Sequence, residues 1–140
     1  MKQTFKGRRK SRKYALQGLY SWSLNKGDLL EIETNLLSAR NPKKFDIEYF
    51  RVILHNVTLK ANELDENIKV YLVRPMDTID LIELIILRIS TFELLYCQDV
   101  PYKVIINEAL ELAKLFGADK SHGFINGVLD KLASKLRVCI

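Results

Sequence analysis

The stretch Ile79–Leu95, IDLIELIILRISTFELL, constrains this chain more than any other. Its apolar residues are interrupted only by Asp80, Glu83, Arg88, Ser90, Thr91 and Glu93. A surface helix shows one apolar stripe, whereas a helix apolar most of the way round is covered on several sides. Ionised groups recur too often here for a membrane span. The sequence therefore predicts a central helix with other helices laid against it. Charged side chains on so apolar an element must reach a surface or find partners. Any strip of this helix left exposed is then a candidate docking face.

A chain of 140 residues fits one domain with a core of its own. Its two cysteines, Cys97 and Cys139, form no CxxC pair, which argues against a disulfide scaffold and against a zinc site. The basic N-terminus lacks the apolar run of a signal peptide, so a cytoplasmic location is expected. Net charge is +5, and the excess is concentrated at the start. Lys2, Lys6, Arg8, Arg9, Lys10, Arg12 and Lys13 crowd together, with no acid before Asp28. Such asymmetry suggests a polyanionic partner, although a solvated basic tail would look the same.

From Arg8 to Leu24 the spacing is helical. Ala15, Leu19 and Trp22 share one side, with Leu16 beside them, and Arg9, Lys13, Gln17 and Tyr20 form a second stripe. Met1–Gly7 is expected to be mobile. Cations in a first helical turn oppose the helix dipole by about 0.3–1 kcal/mol each. That placement suits a bound polyanion and predicts a first turn that frays when free.

Asp28 can cap a short second helix, and Ser38–Lys44 reads as a loop marked by Asn41-Pro42. From Asp46 on, Ile47, Phe50, Leu54, Val57, Ala61, Leu64 and Ile68 make one sustained seam, the pattern of a bundle helix. Pro75 ends it, and Asp77 or Thr78 can cap the central helix. Pro101 opens the next helix, Gly117 closes it, and Ser121 can cap the last, whose seam is Ile125, Val128, Leu129, Leu132 and Leu136. No alternating strand pattern is bounded by turns. The expected class is all-α, with one domain over residues 1–140 and helical subdomains at about 8–73 and 77–138.

The residues offer little catalytic chemistry. His55 lies within a helical seam, His122 stands beside a helix cap, and Glu108 and Glu111 read as solvated-face carboxylates. There is no Walker loop, GxGxxG or HExxH. Asn56-Val57-Thr58 matches a glycosylation sequon but lies mid-helix. No catalytic residue, metal or cofactor is expected. The informative combination is basic plus aromatic: Arg8, Arg9, Arg12 and Lys13 could contact phosphates, and Tyr14, Tyr20 and Phe124 could stack on bases. Aromatics at helical spacing are more often core residues, so spacing alone favours burial for Tyr20 and Phe124.

Several blocks resemble one family. Pro101-Tyr102-Lys103-Val104, Ile106-Asn107-Glu108-Ala109, Glu111-Leu112-Ala113-Lys114, Phe116-Gly117, Ser121-His122 and Phe124-Ile125-Asn126-Gly127-Val128-Leu129-Asp130-Lys131 resemble the C-terminal signature of NusB, a bacterial transcription antitermination family. Arg8-Arg9 through Ala15, Gln17 and Leu19-Tyr20-Ser21-Trp22 look like its opening helix, and Tyr49-Phe50 and Ile89–Leu94 also fit.

The resemblance implies a compact NusB-like fold of two small helical bundles. It implies binding of boxA single-stranded RNA jointly with NusE, a ribosomal small-subunit protein. With RNA polymerase and other Nus factors, the complex would promote antitermination at ribosomal RNA operons. Carried over, the RNA surface is Arg8, Arg9, Arg12, Lys13 and Tyr20, with Lys120 and Phe124. Lys120 stands where the best-known members have an acid, which should raise affinity and steepen its salt dependence. The partner surface is the exposed strip of the central helix, with Glu83 at a family contact position and Arg88 and Glu93 beside it. A homodimer would hide the basic helix. Two other readings remain at this point: a helical protein–protein adaptor with a basic tail, and a stand-alone relative of the NusB-like domain of ribosomal RNA methyltransferases.

Overall fold

A computed structural model describes residues 5–25 and 27–137, apart from the side chains of Phe5, Lys6 and Asp119. Seven α-helices are formed among them, and no strand: α1 (Phe5–Asn25), α2 (Leu29–Ser38), α3 (Ile47–Leu59), α4 (Ala61–Lys69), α5 (Leu81–Tyr96), α6 (Tyr102–Leu115) and α7 (His122–Leu136). The all-α expectation is met. The chain divides into two units, Met1–Leu59 and Lys60–Ile140.

In the first unit α1 packs on α3 and α2. Ala15, Leu16 and Leu19 are buried on one side, as are Phe50, Ile53, Leu54 and Val57 of α3. Gly18 permits close approach: a Cβ there would lie 2.9 Å from Leu54 Cδ1 and 3.0 Å from Leu36 Cδ1. Helix α1 begins earlier than expected. Gly7 lies within it and is buried, and its carbonyl accepts from the Asp46 amide (3.3 Å) and the Ser11 hydroxyl (2.9 Å). These bonds tie the first turn to the start of α3, which replaces the expected free segment up to Gly7. Met1–Thr4 lie outside the described residues.

Asp28 caps α2 as expected, accepting from the Leu30 amide at 3.1 Å. Glu33, buried on α2, accepts from Arg51 Nε at 2.7 Å and pairs with His55 Nε2, both on α3. Burial pushes the Glu33 carboxyl up, but hydrogen bonds and charge from His55 and Arg51 outweigh it and hold the pKa below its ordinary value.

The seam read as one helix from Asp46 is two helices. Lys60, at φ −104° and ψ 17°, leaves the helical region and serves as the start of α4. Phe50, Leu54 and Val57 belong to α3, which packs on α1, whereas Leu64 and Ile68 belong to α4, which packs on α5. The division between units accordingly falls at Leu59 and Lys60 rather than between residues 73 and 77.

In the second unit α5 is covered by α4, α6 and α7. Ile85, Ile86, Leu87, Ile89, Phe92 and Leu94 are buried along it, as its all-round apolarity requires. Its cap is neither Asp77 nor Thr78, which fall in a 3₁₀ turn, Met76–Thr78. Asp80 caps it, in a reciprocal capping box with Glu83. At the other end Arg137 donates to the carbonyls of Leu94 (2.8 Å), Val100 (3.1 Å), Cys97 (3.1 Å) and Glu93 (3.2 Å). Helix α6 ends as predicted. Gly117 has φ 77°, its amide reaches the Lys114 carbonyl, and the Ala118 amide reaches Ala113.

Nothing lies within 4 Å of a Cβ built on Gly117, so Gly117→Ala tests backbone strain alone. It should destabilise the protein by about 1 kcal/mol in urea unfolding. Glu33→Gln should be less stable than the parent at neutral pH. A carboxylate with a lowered folded pKa stabilises above its unfolded value and loses that contribution as pH falls through the folded one. The gap between the two urea midpoints should therefore hold from neutral pH down to the ordinary carboxylate range and close as pH falls below it.

Candidate nucleic-acid interface

The basic residues of α1 separate into two faces. Arg8 and Arg12, four apart, fall on the side that continues into Leu16 and Leu19. Arg12 is only 1% exposed and Arg8 only 9%. Both guanidinium groups lie over the Tyr49 ring of α3, at 4.1 Å for Arg8 and 5.4 Å for Arg12. Desolvated cation–π contacts of this kind contribute about 2 kcal/mol. The expected placement of Arg8 and Arg12 on an open RNA-binding surface is corrected: the inner stripe of the helix extends to them. Their spacing from Leu16 was the signal.

The outer face carries the rest. Arg9 and Lys10 are exposed, Lys13 and Gln17 are half-buried, and Tyr20 is 38% exposed. Tyr20 is thus not the core residue its spacing favoured. Tyr14 is also half-buried. Its ring meets Phe45 edge-on at 4.9 Å, with Lys13 Nζ 5.6 Å and the Arg40 guanidinium 4.7 Å from its centroid. Arg40, from the connection after α2, was not picked out from the sequence as a site residue. Its Nη2 donates to Gln17 Oε1 at 2.9 Å. A lone arginine in a loop gives no sequence signal of such a contact.

In the second unit Phe124 stands half-buried in the first turn of α7, with the Arg74 guanidinium 4.7 Å from its ring centroid. Arg74 donates to the Thr78 carbonyl at 3.3 Å and lies 3.6 Å from Glu83 Oε1. Glu83 is only 8% exposed. It accepts from the Asp80 amide at 3.3 Å and from the Ser121 hydroxyl. Ser121 therefore holds Glu83 and makes no side-chain cap for α7. Lys120, beside it, is exposed.

The expected partner strip of α5 is mostly turned inward. Glu83 is held as described. Glu93 is 1% exposed. Arg88 forms a two-bonded fork with Asp65 of α4, at 2.8 and 2.7 Å. Burial of three sides of α5 leaves little charged surface, which corrects Glu83 and Glu93 as outward contacts. Leu81, Leu84 and Arg88 are half-buried, and Tyr96 is exposed. Its phenol donates to Glu63, and that bond, ahead of burial and charge, pushes the Tyr96 pKa above its ordinary value. Of the carboxylates read as solvated, Glu111 pairs with Lys114 at 3.7 Å, but Glu108 is buried. Among the described residues no group of three or more His, Cys, Asp or Glu could hold a metal, and no helix is long and apolar enough to cross a membrane.

Fold and surface together define a small all-helical protein with cations and aromatics collected on the outer face of its first helix. A model of the NusB family matches residues 9–134. The transcription antitermination protein NusB of Colwellia psychrerythraea is 50% identical over 130 residues, 93% of this chain and 94% of that protein. The NusB structure from T. maritima superposes with a TM-score of 0.80 at 28% identity, covering 96% of this chain and 94% of that one. A chain in the crystal structure of antitermination factors NusB and NusE with dsRNA shares the fold, with a TM-score of 0.83 at 21% identity and 94% and 99% coverage. The chain belongs to the NusB family.

Glu83→Ala removes a buried acceptor that joins Asp80, Ser121 and Arg74. It should cost about 1–3 kcal/mol of stability by urea unfolding. A variant as stable as the parent would return Glu83 to the role of a surface contact.

Proposed function

We propose that this protein is a transcription antitermination factor. It binds boxA-like single-stranded RNA together with the ribosomal protein NusE, and joins RNA polymerase and other Nus factors on ribosomal RNA operons. It works in the cytoplasm and performs no catalysis. Relatives about half identical over nearly their whole length bear the antitermination name, which supports this reading. The observation that carries it within the molecule is the outer face of α1. There Arg9, Lys10 and Lys13 follow one another beside Tyr14 and Tyr20, in a stretch without acids. Phosphate contacts supply affinity, and contacts to splayed-out bases, stacking with edge hydrogen bonds, supply selectivity. Lys120 and Phe124 offer the same pair of chemistries in the second unit. The partner protein is proposed to meet α5 along Leu81, Leu84 and Arg88, with Glu83 and Glu93 supporting that strip from inside.

The test is a filter-binding titration of a boxA-like oligonucleotide, its scramble, and the same strand annealed to its complement, at two salt concentrations. The parent should prefer the boxA-like single strand. Arg9→Ala should weaken binding to every sequence, whereas Phe124→Ala should blunt discrimination against the scramble. Salt-sensitive binding without sequence preference would instead indicate an adaptor with a basic tail.

A further inference from the structure

We propose that the connection between α2 and α3 is a second phosphate-binding segment, joined through Arg40 to the outer face of α1. The inference rests on the RNA-binding reading above and extends it to residues outside that surface. Residues 34–45 contain no acid and include Arg40, Lys43 and Lys44. The segment is fixed at both ends to one ring. Arg40 covers Tyr14 at 4.7 Å, and Phe45, itself edge-on to Phe50 at 6.2 Å, meets Tyr14 at 4.9 Å. Between them Asn41 accepts from the Lys43 amide at 3.0 Å and starts the 3₁₀ turn Pro42–Lys44. Lys43 and Lys44 are exposed on that turn.

Arg40 lies on the line of α1 residues already assigned to the RNA. Gln17, which it grips, is one helical turn beyond Lys13, and Lys13 reaches the same Tyr14 ring. Among the described residues its contacts are an amide oxygen, the Leu36 carbonyl (3.3 Å) and the aromatic ring. None of these neutralises its charge, and further N–H donors of the fork remain. A guanidinium held in place this way loses little freedom when it meets a phosphate. The ligand chemistry is the phosphodiester chain of a single-stranded RNA passing from α1 onto the connection.

The experiment measures binding of a boxA-like RNA by the full chain over a range of salt. It compares Arg40→Gln, the pair Lys43→Gln and Lys44→Gln, Lys13→Gln, and Lys103→Gln on α6 as a charge control. Each lost phosphate contact lowers the slope of log K against log salt by about 0.7 for a single strand. Arg40→Gln should lower it by about that amount, and the lysine pair by up to twice as much. Neither should alter the ratio between boxA-like and scrambled RNA. Arg40→Lys should keep the slope. If Arg40→Gln melts early, the lysine pair carries the test, because those side chains make no bond among the described residues. Slopes equal to that of Lys103→Gln for both changes would overturn the proposal. If Lys13→Gln lowers the slope and they do not, only this second segment fails. If Lys13→Gln is silent as well, the RNA-binding reading of α1 fails with it.

Discussion

A helix buried on several sides has nowhere to put its unsatisfied ends, and the second unit is built around solving this for α5. At the N-terminus Asp80 and Glu83 exchange bonds, and Glu83 reaches on to Ser121 and towards Arg74. At the C-terminus one guanidinium collects four carbonyls. Hydrophobic burial supplies the driving force, but the polar closures decide how the connections around α5 are arranged. The arginine that leans on the Phe124 ring lies beside Glu83, the carboxylate that answers Asp80 in the capping box.

Electrostatics in the first unit follows a similar division of labour. One turn of α1 sends Arg8 and Arg12 inward onto Tyr49, while Arg9 and Lys13 face away from it. Cations that looked interchangeable in the sequence therefore do two jobs. The inward pair fastens α1 to α3, and the outward set leaves positive charge on a rigid helix face. Tyr14 is the outer counterpart of Tyr49, since it too orders cations from separate positions around one ring.

Much of this was legible from residue order. The apolarity of Ile79–Leu95 announced its burial. Asp28, Gly117 and the last seam ended or positioned helices where they were expected. What escaped depends on distant partners. The seam from Asp46 keeps its spacing through Lys60, so periodicity is blind to a break that changes which neighbour each half meets. Glu83 and Glu93 read as surface charges because the sequence does not say how many helices will cover α5. Arg40 and Arg137 carry no local pattern, and their value lies in groups far along the chain.

Arg137 also sets a timetable. A ribosome delivers α5 well before residue 137, and until that residue arrives the final turn of the most apolar helix has bare carbonyls and open flanks. The Met1–Leu59 unit has its three helices in hand far earlier. During synthesis, then, the half bearing the basic face has all its helices before the residue that closes the end of α5 is made.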